Sequence, residues 1–195
     1  MSDTQYDKLL KIHTTGRDDS HSDTFRYPYE PTPYEVLERL ARSGYLTKKN
    51  KLLDYGCGKG RVDFYLAFQV KCRCIGVEYE ERIYDRAMQN KESGISGGRV
   101  ELVRTAAEDF DVPSDVDRLY FFNPFSVEIL KKVMSRVLVS WYENPRELLL
   151  FFYYPSDEYV PYLLTREELM FADEISCEDL FPGDSRERIL VFEMG

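Results

Sequence analysis

Leu52-Leu53-Asp54-Tyr55-Gly56-Cys57-Gly58-Lys59-Gly60 is an apolar run that ends in an acid and opens into three alternating glycines, and Arg61 to Phe68 beyond them reads as a helix. Glycine at alternate positions lets the backbone turn sharply and approach a ligand with no Cβ in the way. The spacing does not fit the dinucleotide fingerprint G-x-G-x-x-G, which requires glycine where this chain has Arg61. What stands here is D-x-G-x-G-x-G. Asp54 would repel a pyrophosphate and attract a ligand that carries positive charge.

Working outward, strand and helix patterns alternate regularly from Lys51. The first strand is read at 51–55 with its helix at about 60–69, and the second at 72–77, ending at Glu78. Ile83, Tyr84, Ala87 and Met88 mark a helix face. Strands follow at 99–104 and 118–122, the latter ending at Asn123. Ile129, Leu130, Val133, Met134, Val137 and Leu138 form the clearest helical stripe in the chain. Leu148 to Tyr154 is an uninterrupted apolar strand, as expected of a parallel strand covered on both faces. Two last strands, 169–175 and 189–192, flank the Pro182-Gly183-Asp184 turn. This order predicts an α/β fold with a doubly wound, mostly parallel seven-stranded sheet and right-handed crossovers. A ligand should lie beyond the carboxyl ends of the strands.

Upstream, Thr32-Pro33-Tyr34-Glu35 reads as a capping box with proline at the first helical position, and Gly44 as the helix stop. Residues 1–32 read as an N-terminal extension and 33–195 as the ligand-binding domain. The extension opens with Tyr6, Leu9, Leu10 and Ile12 at helical spacing and continues through polar residues to the aromatic Phe25, Tyr27 and Tyr29. Its first part has little apolar surface, so it is expected to be mobile until a ligand orders it as a lid.

The net charge of −9 weighs against an extensive contact with nucleic acid, which needs clustered Lys and Arg. Lys48, Lys49, Lys51, Lys131, Lys132 and Arg136 are the basic candidates and read as solvated charges. Cys57, Cys72, Cys74 and Cys177 form no C-x-x-C and lie far from His13 and His21, so no metal site is expected. Reduced, buried thiols in a cytoplasmic protein are the simplest reading. No signal peptide is read at the start of the chain, and the longest apolar run is too short to span a bilayer.

The 52–60 stretch resembles motif I of the class I S-adenosylmethionine (SAM) methyltransferases. The resemblance covers residues 33–195 and is strongest over 51–125. It implies SAM as cofactor, S-adenosylhomocysteine (SAH) as product, and a C-terminal antiparallel hairpin strand. It implies that the backbone at Gly56, Gly58 and Gly60 holds the amino-acid part of SAM, with Asp54 orienting the loop or the ammonium. Glu78 would accept both ribose hydroxyls, with Glu80 as its rival. Glu108 or Asp109 would accept from the adenine amino group, Glu108 being preferred. Asn123-Pro124-Phe125 resembles the N-P-P-Y/F motif of enzymes that methylate planar amino groups, with Ser126 following where that motif ends. There the Asn oxygen and a backbone carbonyl accept the target N–H bonds and the ring stacks on the target plane. Tyr27, Tyr29, Tyr153, Tyr154 and Tyr159 are candidates for the acceptor pocket, with Tyr153 and Tyr154 equally readable as sheet residues. The Tyr29 to Tyr34 run is similar to the segment before the core of some protein-lysine methyltransferases. The expected function is methylation of a nitrogen on a protein side chain or small molecule. The alternatives are a nucleic-acid base methyltransferase and a SAM-binding protein without turnover.

Overall fold

Leu52 and Leu53 point to opposite faces of the strand Lys51–Tyr55 (β1), and each joins a different half of the core. That alternation sets up a sheet covered on both sides. The protein was analysed as a computed structural model, which describes residues 1–17 and 29–195. Among these, β1 lies between β2 (Arg73–Glu78) and β4 (Arg118–Phe121). With β3 (Val100–Arg104), β5 (Leu149–Tyr153), β6 (Leu169–Ser176) and β7 (Arg188–Met194) the order is β3-β2-β1-β4-β5-β7-β6. The first five strands are parallel, and β7 inserts antiparallel between β5 and β6. The α/β class, the seven-stranded sheet and the C-terminal hairpin strand are as expected.

One face is packed by α1 (Asp3–Leu10), α2 (Tyr34–Arg42), α3 (Arg61–Gln69) and α4 (Glu81–Ser93). The other is packed by α5 (Val127–Glu143) and α6 (Tyr159–Leu164). The α5 stripe is buried as its spacing predicts, apart from the half-buried Leu138. α6 has too few residues to show a period in the sequence. Two strand limits move for local reasons: Arg99 belongs to the 3₁₀ turn Gly97–Arg99, and Tyr154 leaves β5 in a left-handed conformation. The capping-box reading is corrected too. Pro33 precedes the helix as its cap residue and no side chain caps it, because Thr32 is buried and its hydroxyl pairs with the Tyr120 hydroxyl at 3.2 Å.

The N-terminal segment departs most from expectation. Ser2 and Gln5 close a capping box on α1, and Tyr6, Leu10 and Ile12 are buried against the α2–α3 layer. Leu9 is exposed. Asp7 accepts from Thr14 N at 2.6 Å, Thr14 Oγ1 at 2.7 Å and Tyr34 Oη at 2.6 Å. Burial would raise the Asp7 carboxyl, but the Thr14 and Tyr34 donors and the Arg61 charge hold it below its ordinary value. Arg61 is 2% exposed and donates to Thr14 Oγ1 at 2.8 Å, Asp3 Oδ2 at 2.6 Å and Thr32 O at 3.2 Å. Its guanidinium lies 4.4 Å from the Tyr34 ring centroid. Residues 3–15 are thus docked by a buried ionic network as much as by apolar area, and composition alone underestimates their attachment. The Asp18-to-Tyr27 part of the expected lid, with Phe25 and His21, lies outside the described residues.

Arg61→Met keeps the apolar stem but leaves Asp3, Thr14 and Thr32 without their donor. Urea denaturation should show a loss of roughly 3 kcal/mol, with residues 3–15 exchanging amide hydrogens early. An unchanged midpoint would mean that the network adds no stability.

Candidate active site

The carboxyl ends of the five parallel strands open into a cavity of ≈220 Å³. Asp54, Gly56, Cys57, Glu78, Glu108, Asn123, Pro124, Phe125 and Tyr154 are among its lining residues. The start of the glycine loop, Gly56 and Cys57, forms its floor, whereas Gly58 and Gly60 do not line it. Gly56 N and Cys57 N both donate to Val77 O, at 2.9 and 3.0 Å, so the loop is tied to the end of β2. Gly56, Gly58 and Gly60 have φ of 73°, 58° and 84°, a region that side chains rarely tolerate. A Cβ at Gly56 would sit 2.6 Å from Pro124 Cβ, and one at Gly58 would overlap the Tyr29 ring. The close approach at Gly58 is therefore made by Tyr29, whose hydroxyl donates to Thr14 O at 2.6 Å.

Asp54 and Asp63 lie beneath this floor, 2% and 0% exposed. Asp54 Oδ2 and both Asp63 oxygens find no donor among the described residues, an arrangement that favours a proton shared by the pair. Burial lifts the Asp54 carboxyl to about 7; a hydrogen bond from Asp63 pulls it down and the Glu78 charge pushes it up. Burial, then the charge of Asp54, raises Asp63 well above the carboxylate range. Cys57 stays a thiol, raised by burial and by the Asp63, Asp54 and Glu78 charges. Asp63 and Gly76 were not recognised from sequence. A Cβ at Gly76 would meet Cys57 Sγ at 2.7 Å and Asp63 Oδ2 at 2.9 Å, so β2 needs a glycine to make room for the acid pair.

Glu78 ends β2, as read from sequence. Its Oε2 accepts Gly58 N at 3.0 Å and its Oε1 accepts Glu80 N at 2.9 Å. Burial raises this carboxyl against the lowering effect of the amides. Glu80 is otherwise employed: it caps α4 by accepting Ile83 N at 2.8 Å. After β3, the 3₁₀ turn Ala107–Asp109 presents Glu108 to the cavity, whereas Asp109 is exposed and does not line it. Asn90 was also missed. It is buried on α4 and donates to Lys59 O at 2.9 Å and His13 O at 3.2 Å, joining the glycine loop to the N-terminal segment.

Asn123 follows β4 with φ 43°, and its buried Oδ1 has no donor among the described residues. Pro124 packs on Gly56. Phe125 lines the cavity but is only 4% exposed, and its ring meets those of Tyr55 and Phe121 in T-shaped contacts at 6.5 and 6.4 Å, so most of it is packed into the core. Its carbonyl accepts from Tyr159 Oη at 2.6 Å. Ser126 stands at the N-cap position of α5 without capping it. Tyr153 is a buried sheet residue bonded to Glu187, while Tyr154 lines the cavity. Tyr27 lies outside the described residues. No three His, Cys, Asp or Glu side chains among the described residues converge as a metal-binding group, and no helix there is long and apolar enough to cross a membrane.

A carboxyl raised by burial favours the folded state when protonated. That contribution is complete below the ordinary value of 3.8 and is lost as pH rises through about 7. The stability of the protein alone should therefore fall by roughly 1 kcal/mol per pH unit across that window. Asp63→Asn, which keeps a donor for Asp54 and removes one charge, should flatten the slope in urea titrations. Equal slopes would show that the pair shares no proton.

Residues 52–143 match the family described as Methyltransferase domain. A protein-lysine N-methyltransferase of Saccharolobus islandicus is 28% identical over 113 residues, covering 57% of this chain and 70% of that protein. The H3 lysine-79 specific histone-lysine N-methyltransferase of Dictyostelium discoideum is 34% identical over 84 residues, 43% of this chain and 4% of that much longer protein. The fold is shared with an RNA methyltransferase of Salinibacter ruber solved with SAH, at 18% identity and TM-score 0.56, over 85% of this chain and 92% of that one. The matched stretch contains the glycine loop and the ends of β2, β3 and β4 that form the cavity. The match over the glycine loop and strand ends, together with these relatives, supports a class I SAM-dependent methyltransferase with SAM as cofactor.

Proposed function

We propose that this methyltransferase transfers its methyl group to a lysine nitrogen of a protein. The observation that carries the reading is Asn123 Oδ1, a buried acceptor in the cavity lining that no group among the described residues satisfies. Such an atom costs free energy unless a ligand donor meets it. The lysine-methyltransferase descriptions of both sequence relatives support the same substrate. Phe125 is largely packed among Tyr55 and Phe121 and leaves little ring surface for a planar base, which weighs against nucleic-acid base methylation.

Residues 33–195 would form the catalytic unit and 1–32 an extension that covers it through Tyr29. Gly56, Gly58 and Gly60 would present the loop backbone to the amino-acid part of SAM, with Asp54 below it. Glu78 would take the ribose hydroxyls on lone pairs left free by its backbone amide donors. Glu108 would face the adenine. When bound, SAM supplies a methyl group made electrophilic by the adjacent sulfonium. The lysine amine must arrive neutral, its proton having passed to solvent. Asn123 then accepts one N–H bond and aims the nitrogen lone pair at the methyl carbon. Pro124 holds Asn123 in register by its contact with the loop.

Labelled methyl transfer from SAM into core histones, whole protein extract and total RNA tests the substrate class. Acid hydrolysis should release methylated lysine; label confined to RNA would overturn the reading. Asn123→Ala should lower turnover about 10²-fold, equivalent to ~2.7 kcal/mol, with SAH affinity nearly unchanged. Unimpaired transfer would remove Asn123 from catalysis.

By calorimetry, Glu78→Ala should weaken SAH binding by about 1.5–3 kcal/mol. Glu80→Ala should leave it unchanged and cost about 1 kcal/mol of stability as a lost cap. The reverse ranking would assign the ribose to Glu80.

A further inference from the structure

The β4 and β5 strands are parallel neighbours, and each is followed by a non-glycine residue in left-handed backbone: Asn123 at φ 43° and Tyr154 at φ 49°. Asparagine adopts this region readily, whereas a bulky ring there is a true outlier. Glycine would fit Tyr154's backbone without strain, so the ring itself is what the position retains.

The ring is fixed from the β6–β7 hairpin. Tyr154 N donates to Arg188 O at 3.0 Å. Its hydroxyl donates to Asp184 Oδ2 at 2.6 Å and accepts from Arg186 Nη2 at 2.5 Å. The Arg186 guanidinium lies 4.5 Å from the ring centroid and is paired with Asp184 at 3.3 Å. The phenol oxygen is therefore committed to its neighbours and does not serve as a base. What Tyr154 offers the cavity is ring surface, next to Phe122, whose ring meets it edge-on at 6.4 Å. The side chains of Arg186 and Asp184 are 46% and 37% exposed, so this cluster stands at the protein surface, within reach of a macromolecular substrate.

We propose that Tyr154 is a specificity-determining wall of the acceptor channel, positioned by Asp184 and Arg186, and that it takes the aliphatic stem of an amine-bearing side chain. The proposal rests on the lysine reading above. It adds what selects the side chain: the methylenes of a lysine desolvate against the ring while the nitrogen reaches Asn123.

The probe is Nα-acetyl-lysine methylamide, titrated into isotope-labelled protein saturated with SAH and followed by NMR. Shifts should appear at Asn123 and Tyr154. Tyr154→Gly, which relieves the backbone and should fold at least as well, should weaken the probe about tenfold and leave SAH affinity unchanged. Asp184→Asn should weaken it severalfold, and Tyr154→Phe, which keeps the ring, should lose less than Tyr154→Gly. A shift at Asn123 with none at Tyr154, or unchanged probe affinity in Tyr154→Gly, would overturn the wall and leave the lysine reading intact. No shift at either residue would overturn both.

Discussion

The loop from Gly56 to Gly60 is compressed on several sides, and the site is arranged around that compression. Pro124 presses on Gly56, Tyr29 on Gly58, and the Phe64 ring on Gly60, where a Cβ would lie 2.5 Å from Cε2. Each contact fastens a different part of the chain: the segment after β4, the N-terminal segment and the first turns of α3. Asn123 is placed because Pro124 has nowhere else to pack. Tyr29 lies at the cavity because Gly58 leaves room for its ring. The loop amides are in turn held by Val77 O and Glu78, so the end of β2 and the floor of the cavity move as one body.

Beneath the floor the electrostatics are unusual for a chain with an excess of acids. Asp54 and Asp63 are buried without a cation, and charging both would be expensive in so dry a place. Holding one proton between them lets Asp54 stay where a cationic ligand group can use it. Arg61, one turn away on α3, is spent on Asp3, Thr14 and Thr32 and leaves the pair uncompensated. The position that breaks the dinucleotide spacing is the position that anchors the N-terminal segment.

Much of this was legible in the sequence. The alternation of Leu52 and Leu53, the apolar run through Phe151 and Phe152, and the α5 stripe carry the sheet order because periodicity reports burial directly. The glycine loop, Glu78 and Asn123 were found because they end strands, and strand ends are where such folds place ligands. What was hidden depends on long-range contacts. Phe125 reads as a stacking ring until the core formed by Tyr55 and Phe121 is seen to take it. Asp63 was not singled out in the sequence, and its place shows only once Gly76 is seen to make room for it. Residues 3–15 read as mobile because their attachment relies on Arg61, paired with Asp3, and on the buried Asp7, and no local pattern announces these contacts. Tyr154 was weighed evenly between sheet and pocket, and its backbone conformation decides for the pocket.

The placement of the cofactor is the claim on which the rest stands, and amide hydrogen exchange with and without SAH tests it most directly. Saturating SAH should slow exchange at residues 56–60, 78–80 and 107–108, and leave the opposite sheet end around Arg73 and Arg99 unchanged. Protection at that opposite end, or none in the glycine loop while SAH is bound, would contradict the account.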